Sequence, residues 1–513
     1  MPLSTRTRHR PGALTPVATI AVIVATVCVL PLGVILAAAL DAGASEALAQ
    51  LLRPRVGELL RNTTALVVVT TTASVVLGVG TAWLVERTAL PGARWWRIAL
   101  VAPLAVPAFV NAYAWVSLRP SLTGLAGAAL ITTLSYTPFV FLPVAALLRG
   151  LDSAWEDSAR SLGLGPWRTF WRVVVPQVRP AVLGGALLVA LHLLAEFGVL
   201  ALIRFPTFTT AILDQYEAAF DTTGGAVLSL ALLGLTAIVL TGDHVLRSRR
   251  THARLGAGVR RRPQPARLGR WRGPAVAGLT AYVLLALGVP AYSLAHWLGR
   301  GGASILSGDL VAALWSTLWL ALAAGAITTL AALPVAVLVQ RRPGRLTQVI
   351  ERVTYLASSL PGVVIALALV TLAVRWIGPL YQTPALLLLA YVILFIPRSM
   401  VSIRAALAHA PDGLLDAARS LGAGPWGTGR RVLLPIILPG LLSGFALVFL
   451  ATCVELTATL LLAPTGTTTL ATGFWAASDS LDYAAAAPYA VAMILLSAPL
   501  TWLIMTRNSE DPT

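Results

Sequence analysis

Two acidic residues of this chain lie inside apolar stretches that are long enough to cross a membrane. Glu196 lies in AEFGVLALIRFPTFTTAI and Glu455 in ELTATLLLAPTGTTTLATGFW, at equivalent places of a sequence repeat. A carboxylate at membrane depth is unfavourable unless it faces water, a partner group or a substrate. Each glutamate could therefore line the path of a cationic substrate, where pseudo-symmetry would let the pair face each other. Alternatively, each could cap a broken helix or bond a nearby hydroxyl group, such as Thr457 or Thr459.

His192 lies one helical turn before Glu196, and its counterpart in the repeat is Ala451. Because only one of the two copies carries this imidazole, we predict that His192 is a local hydrogen-bond partner and not a ligand.

A polar loop occurs twice in the chain, once in each copy of the repeat. The segments 157–180 (DSARSLGLGPWRTFWRVVVPQVRP) and 416–439 (DAARSLGAGPWGTGRRVLLPIILP) are identical at 14 of 24 aligned positions. The flanks align as well, because Pro138 matches Pro397 and Glu196 matches Glu455. The duplication indicates two related halves that each present the same surface.

Each loop has the composition of two short helices joined by a turn. In the first copy a polar stretch, 152–162, starts with acidic residues, which suits a helix N-terminus. Gly163 interrupts it, as a turn with positive φ requires. An amphipathic stretch, 167–175, then leads to Pro176 and Pro180. A single loop of this kind would fit an interfacial anchor, whereas two near-copies favour a docking surface for two equivalent partner subunits.

The elements that carry these residues are predicted to be membrane-spanning helices. Hydrophobic residues form 57% of the 513 residues and charged residues only 12%, a composition that indicates a polytopic membrane protein. A span needs about 20 apolar residues. The first stretch is predicted to be an uncleaved helix, because its apolar core exceeds that of a signal peptide. The predicted spans are 15–40, 63–85, 98–117, 122–148, 182–203, 226–246, 274–297, 311–339, 354–376, 384–403, 437–462 and 487–506.

The net charge of +17 comes from 38 basic residues, all of them arginine. If the N-terminus is cytoplasmic, only seven arginines fall in external segments, which is the positive-inside bias of an inserted protein. Both loops and both termini are then cytoplasmic, and nucleic acid is not a predicted partner. The two cysteines, Cys28 and Cys453, lie within spans and indicate neither a disulfide framework nor a metal site.

The repeat divides the chain into two six-span halves. The first half is 1–246 with its loop at 152–180, and the second is 274–513 with its loop at 411–439. An Arg-, Pro- and Gly-rich stretch, 247–273, is predicted to be a basic cytoplasmic linker. An even number of spans in each half makes the repeat parallel.

The loop resembles the EAA loop of binding-protein-dependent ABC importer permeases, with Asp in place of the usual Glu in both copies and Ser158 in place of Ala in the first. The resemblance implies an all-α polytopic membrane protein with about twelve transmembrane helices in two parallel halves and a type I permease core. It also implies that each loop inserts a coupling helix into a groove of an ATPase subunit. The coupling residues so implied are Asp157, Ala159, Arg160, Gly163 and Pro176, and Asp416, Ala418, Arg419, Gly422 and Pro435.

A chain without lysine has no P-loop lysine to contact phosphates, so ATP hydrolysis is expected on a separate ATPase chain. The near-identity of the two loops favours a homodimeric ATPase. The family resemblance further implies a periplasmic or lipoprotein substrate-binding protein and a multi-pass location in a bacterial inner membrane with surrounding lipid. No cofactor is expected.

The stretches around Glu196 and Glu455 are similar to those of ferric-iron permeases, with thiamine and aminoethylphosphonate permeases as close relatives. Ferric iron is a hard cation that favours oxygen ligands, which fits two carboxylates. A secondary transporter with twelve spans is the alternative from another class, but it gives the duplicated loop no role. A membrane-bound enzyme has little support, since the chain carries no paired histidine cluster, metal-spaced cysteines or nucleophile motif.

Overall fold

The structure is a computed structural model. It describes residues 15–509 except for 42, 152–153, 218–221, 249–264, 301–306, 343, 358–359, 409–413, 415–416, 419 and 423. The described secondary structure is helical, apart from one isolated parallel bridge between Thr88 and Ala266. Helices are expected because a lipid-exposed segment must satisfy its backbone hydrogen bonds internally.

The described part of the first half is a succession of long and short helices. A π-turn at Phe170–Val174 joins α8 to α9 without a break. The helices are α1 (Thr15–Asp41), α2 (Ala44–Leu51), α3 (Pro54–Arg87), α4 (Ala93–Val101), α5 (Ala108–Leu118), α6 (Gly124–Gly150), α7 (Ala154–Ser161), α8 (Pro166–Thr169), α9 (Val175–Ala195), α10 (Gly198–Leu202), α11 (Phe208–Glu217) and α12 (Thr222–Ser248).

The second half repeats this order with local changes. Two further π-turns join its helices, at Leu284–Gly288 and Gly429–Leu433. The helices are α13 (Arg272–Val283), α14 (Val289–Arg300), α15 (Gly308–Arg341), α16 (Arg345–Ala357), α17 (Gly362–Trp376), α18 (Pro384–Ala408), α19 (Pro425–Thr428), α20 (Leu434–Cys453), α21 (Thr457–Leu462), α22 (Leu470–Asp479) and α23 (Tyr483–Ser509).

In the described ranges, nine helices are long and apolar enough to cross a membrane, or ten if a bent pair counts as one span. The bent pair is Ala93–Ala105 with Ala108–Leu118, which meet at 87°. Two shorter apolar helices, Gly362–Trp376 and Tyr483–Pro499, occupy the remaining predicted spans. The all-α polytopic prediction is confirmed.

Proline explains why the predicted spans 98–117 and 354–376 are not straight helices. Val106 has extended backbone (φ −100°, ψ 114°) because it precedes Pro107, and a residue before proline avoids the helical region. Pro107 then caps α5, and Pro361 caps α17 in the same way. The 15 residues of α17 cover roughly 22 Å, which is less than the hydrocarbon thickness of about 30 Å.

The predicted spans 182–203 and 437–462 also break, and each breaks at its glutamate. The helix α9 ends at Ala195 and the short helix α10 begins at Gly198. In the second half α20 ends at Cys453 and α21 begins at Thr457. The predicted spans run through both breaks because hydropathy does not depend on the local direction of the backbone. A helix break capped by each glutamate was the alternative that the sequence left open.

Close helix contacts in both halves use small residues in the same register. A Cβ atom added to Gly185 of α9 would lie 2.7 Å from the Cα atom of Val140 of α6. A Cβ atom added to Gly444 of α20 would lie 2.7 Å from the hydroxyl oxygen of Ser399 of α18. Small residues let membrane helices approach closely. Because the two glycines are aligned in the repeat, and their contact residues are aligned as well, α6 and α9 pack in the register of α18 and α20.

The helices form two compact units that do not coincide with the halves of the repeat. One unit contains α1 up to Ala37 together with Ala313–Thr469, and the other contains Ala38–Ala312 together with the chain from Leu470 onward. The repeat boundaries at 246 and 274 stay a prediction, since most of the linker lies outside the described residues. At its described end, Ala266 exchanges backbone hydrogen bonds with Arg87 and Ala89, each at 2.9 Å.

Candidate functional site

The first copy of the duplicated loop contains a short helix that ends in a left-handed glycine. The polar helix α7 is followed by Gly163, whose φ is +83°. The backbone N–H of Leu164 donates to the carbonyl oxygen of Ala159 at 3.1 Å, and that of Leu162 donates to Ser158 at 3.1 Å. A glycine with positive φ and a hydrogen bond that spans five residues are the marks of a Schellman helix end.

The second loop has the same turn. Gly422 also has φ +83°, and the backbone N–H of Leu421 donates to the carbonyl oxygen of Ala417 at 3.0 Å. The predicted need for positive φ at Gly163 and Gly422 is therefore confirmed. Asp416 and Arg419 of the predicted set lie outside the described residues.

The other predicted loop residues occupy defined places on this framework. Asp157 is exposed in the first turn of α7, where a negative charge suits the helix dipole. Ala159 is buried, whereas its counterpart Ala418 is half-buried. The backbone of Arg160 belongs to the last turns of α7.

The amphipathic stretch 167–175 is not a separate helix, which corrects the expected arrangement of two short helices. It is the beginning of a helix that continues through the π-turn into α9, and α19 continues into α20 in the same way. Pro176 and Pro435 lie exposed in the first turns of α9 and α20. A proline ring clashes with the carbonyl four residues earlier. Here that carbonyl falls inside the π-turn, where the wider helix gives it room.

Each loop exposes a large leucine at the tip of its turn, a feature that sequence reasoning missed. Leu162 is 82% exposed, and its counterpart Leu421 is 88% exposed. A single exposed leucine is common on a protein surface, but its recurrence at the same place in both copies favours a contact with another protein. The signal was available in the sequence, because both leucines directly precede the turn glycines.

An ion pair joins the first loop to the end of α3. The guanidinium of Arg87 lies 3.0 Å from the carboxylate of Glu156 in α7, with side-chain exposures of 5% and 15%. The neighbouring Glu86 accepts two hydrogen bonds from Arg97 of α4, at 2.9 and 3.0 Å. The partners of the first pair lie far apart along the chain, so the sequence pattern gave no sign of it.

Glu196 occupies the break between α9 and α10. Its Oε1 atom accepts a hydrogen bond from the backbone N–H of Val199 at 3.0 Å, and its Oε2 atom accepts one from the hydroxyl group of Tyr136. The hydroxyl group of Thr209 donates to the main-chain carbonyl of Glu196 at 2.6 Å. The carboxylate therefore caps the N-terminus of α10 and is held by a tyrosine of α6.

Glu455 caps α21 more completely. Its Oε1 atom accepts from the backbone N–H of Ala458 at 2.8 Å, and its Oε2 atom accepts from the N–H and the hydroxyl group of Thr459 at 3.0 and 2.6 Å. Tyr391 of α18 hydrogen-bonds the Thr459 hydroxyl group at 2.7 Å. The first half has Leu200 where the second has Thr459, and its tyrosine, Tyr136, aligns with Phe395 and not with Tyr391. The two carboxylates are therefore held by tyrosines one helical turn apart in the repeat.

Capping, one of the two roles left open by the sequence, is thus present at both glutamates. Both side chains are half-buried, so each retains exposed surface. His192 donates through Nδ1 to the carbonyl oxygen of Leu188 at 2.8 Å and contacts the ring of Phe139, as a local hydrogen-bond partner would. No group of three or more potential metal-ligating side chains occurs among the residues that the structure describes.

Residues 74–252 and 329–506 each match the family described as "Binding-protein-dependent transport system inner membrane component". The chain belongs to this family. It is the membrane component of a transport system, and the resemblance inferred from the duplicated loop is confirmed.

The names of individual relatives cover several substrates. An Fe(3+)-transport system permease protein of Haemophilus influenzae is 36% identical over 479 residues, which cover 93% of this chain and 95% of the relative. A putative 2-aminoethylphosphonate permease of Salmonella typhimurium is 30% identical over 201 residues, or 38% of this chain and 74% of the relative. A probable sulfate permease of Chlorokybus atmophyticus is 27% identical over 192 residues, or 33% of this chain and 67% of the relative.

Proposed function

We propose that this chain is the permease subunit of an ATP-driven importer that carries ferric iron from an external binding protein to the cytoplasm. The observation that carries the iron assignment is the near full-length similarity to a permease whose name specifies Fe(3+). The sulfate and aminoethylphosphonate relatives match one third to two fifths of this chain, so an oxyanion is the second candidate substrate.

The duplicated loops are the docking sites for the ATPase in this proposal. Each offers an exposed leucine beside a glycine with φ +83°, and the same shape occurs twice. A homodimeric ATPase would present two equivalent grooves, one for each loop. ATP hydrolysis belongs to that separate chain, because this one carries no lysine for a P-loop.

The arginine distribution supports an inner-membrane orientation with both termini, both loops and the linker in the cytoplasm. In this orientation the helix breaks at Glu196 and Glu455 interrupt helices that cross the membrane. Broken helices with capped ends are a common construction of transport sites. We assign both carboxylates to the translocation path, in addition to their capping role.

Reconstitution into proteoliposomes tests the function. Vesicles that contain this permease and its ATPase, supplied with the external binding protein and labelled ferric iron, are expected to accumulate iron only when ATP is available to the ATPase. Vesicles without the ATPase are the control. Iron accumulation driven by an ion gradient alone, without ATP or ATPase, would identify a secondary transporter instead.

A further inference from the structure

An arginine lies within the membrane-spanning helix α18. Arg398 is an interior residue of this helix, which runs from Pro384 to Ala408. At 1.5 Å per residue, Arg398 is roughly 21 Å from the start of the helix and roughly 7.5 Å from position 403, where the predicted membrane span ends. Arginine at such a depth is rare and marks a functional position unless the side chain reaches an interface or a counter-charge.

The guanidinium of Arg398 does not extend toward the nearer helix end. It lies over the ring of Phe395, with 5.0 Å between its central carbon and the ring centroid, and Phe395 is one turn toward the farther end. No carboxylate of a described residue forms an ion pair with it, in contrast to Arg404 on the same helix, which pairs with Glu351. The Arg398 side chain is nevertheless exposed.

The matched helix register shows which surface Arg398 faces. In the first half its counterpart is Phe139, which contacts the ring of His192 at 4.4 Å, one turn before Glu196. In the second half the counterpart of His192 is Ala451, which has only a methyl group. The position of Arg398 is therefore the one that, in the first half, packs on the histidine one turn before the capped glutamate.

A continuous series of contacts leads from Arg398 to the second glutamate. The Phe395 ring stacks on that of Tyr391 with 6.2 Å between centroids. Tyr391 hydrogen-bonds the Thr459 hydroxyl group, which donates to the Glu455 carboxylate. In the second half a cation and a carboxylate thus lie at the two ends of one series of buried side chains, whereas the first half has an aromatic ring in place of the cation.

We propose that Arg398 is a specificity-determining residue that binds an oxyanion as the cargo crosses the membrane. This inference rests on the proposed transport function. A guanidinium binds the oxygens of an oxyanion through two parallel hydrogen bonds. The oxyanion could accompany ferric iron as a ligand of the metal, in which case Glu455 and Arg398 contact opposite charges of one complex. It could also be a free anionic substrate.

The test uses the complete importer in proteoliposomes, supplied with labelled ferric iron and differently labelled inorganic phosphate. Arg398→Gln removes the charge, Arg398→Lys keeps the charge without the paired geometry, and Arg398→Phe installs the residue of the first half as a control for folding. Copurification with the ATPase reports the assembly of each variant. Equilibrium binding of labelled phosphate to the purified complex provides a second readout.

We expect phosphate to enter with iron in wild-type vesicles, and Arg398→Gln to lower the uptake of both about tenfold or more, the effect of losing a charge-assisted hydrogen-bonded pair. Arg398→Lys should lie in between, and phosphate binding should weaken in the same order. Uptake of phosphate without iron, lost in Arg398→Gln, would support the role of Arg398 and overturn the iron assignment.

Iron import that does not depend on Arg398 would reject the oxyanion role and leave the iron proposal standing. If Arg398→Gln imports iron at the wild-type rate at every phosphate concentration, the oxyanion role is overturned while the iron function stands. If neither label enters the vesicles, the equilibrium binding of phosphate to the purified complex tests the role of Arg398. Equal phosphate binding by wild type and Arg398→Gln would then reject the role of Arg398 whatever the cargo is.

Discussion

Arg87 and Glu156 form an ion pair at 3.0 Å that ties the C-terminal end of α3 to α7, the helix of the first duplicated loop. Arg87 also accepts a backbone hydrogen bond at its carbonyl oxygen from Ala266, near the described end of the linker. The second half has Leu415 at the position of Glu156, so this polar link belongs to one half. If the first loop docks on the ATPase as we propose, a movement of α7 would reach α3 through this pair.

Glu156→Gln is predicted to destabilise the protein by about 3 kcal/mol, because it removes the carboxylate from an ion pair whose side chains are both mostly buried. It should also lower the coupling between ATP hydrolysis and transport. The thermal melting temperature of the purified complex and the ratio of iron imported to ATP hydrolysed measure the two effects. Glu58→Gln is the matched control, because the Arg55–Glu58 pair is exposed and its loss should change stability by less than about 1 kcal/mol.

The double variant Arg87→Met, Glu156→Leu distinguishes the loss of the ion pair from the effect of a buried charge that has lost its carboxylate. Since the apolar pair leaves no buried charge behind, it should regain most of the stability lost by Glu156→Gln. It should not regain the coupling. A double variant that is as unstable as the single variant would show that the ion pair is not the source of the effect.

Replacing both turn glycines by valine, Gly163→Val and Gly422→Val, is predicted to leave the protein inserted but to uncouple it from the ATPase. Each substitution forces a β-branched residue into the left-handed region, at a cost of about 1–2 kcal/mol or more, and the turn is expected to change shape. Copurification of the ATPase and ATP-dependent iron uptake are the measurements.

The control for the glycines is Gly165→Val with Gly424→Val. These positions also have open space for a Cβ atom but no positive φ, so their variants should keep the ATPase. Normal transport by the variant with valine at 163 and 422 would refute the assignment of the loops.

The orientation in the membrane can be tested by cysteine labelling from outside the cell. Ser161→Cys and Ser420→Cys should remain unlabelled, whereas Asp309→Cys and Asp482→Cys should react, because the arginine bias puts the first pair in the cytoplasm. All four side chains are exposed, so a lack of reaction cannot result from burial in the protein. The native cysteines, at positions 28 and 453, are buried, so labelling of the unmodified protein gives the background signal. Efficient external labelling at position 161 would contradict the topology.

The two glutamates are predicted to respond differently to glutamine. In Glu196→Gln the new amide group can donate to the Tyr136 oxygen, so folding should change little. In Glu455→Gln the amide group meets the backbone N–H of Thr459, a second donor, and the lost hydrogen bond should cost about 1–3 kcal/mol. Melting temperatures of the purified proteins measure this difference, and equal values for the two variants would argue against the capping geometry.

Measurements of iron uptake distinguish a capping role of Glu196 and Glu455 from a role in the translocation path. If the charges contact a cationic substrate, the double variant Glu196→Gln, Glu455→Gln should lose iron uptake even in the fraction that copurifies with the ATPase. Glu58→Gln again serves as a control, because it removes a carboxylate from an exposed surface pair. Normal iron uptake by the double variant would leave the glutamates a purely structural role.

The sequence by itself determined the class of the protein, the duplicated loops and the symmetric placement of Glu196 and Glu455. These follow from local information: hydropathy along a window, an ungapped repeat and the position of glycine before a turn. The positive φ at Gly163 and Gly422 could be predicted because only local sterics decide it.

Only the tertiary structure decided what each carboxylate contacts. Tyr136 reaches Glu196 from a different helix, and Arg87 reaches Glu156 from a different helix as well, so these contacts depend on how the helices pack and not on periodicity. The same holds for the helix breaks at the glutamates, since an apolar stretch has the same hydropathy whether or not its backbone turns. The contacts that connect Arg398 to Glu455 through Phe395, Tyr391 and Thr459 likewise depend on how the helices pack.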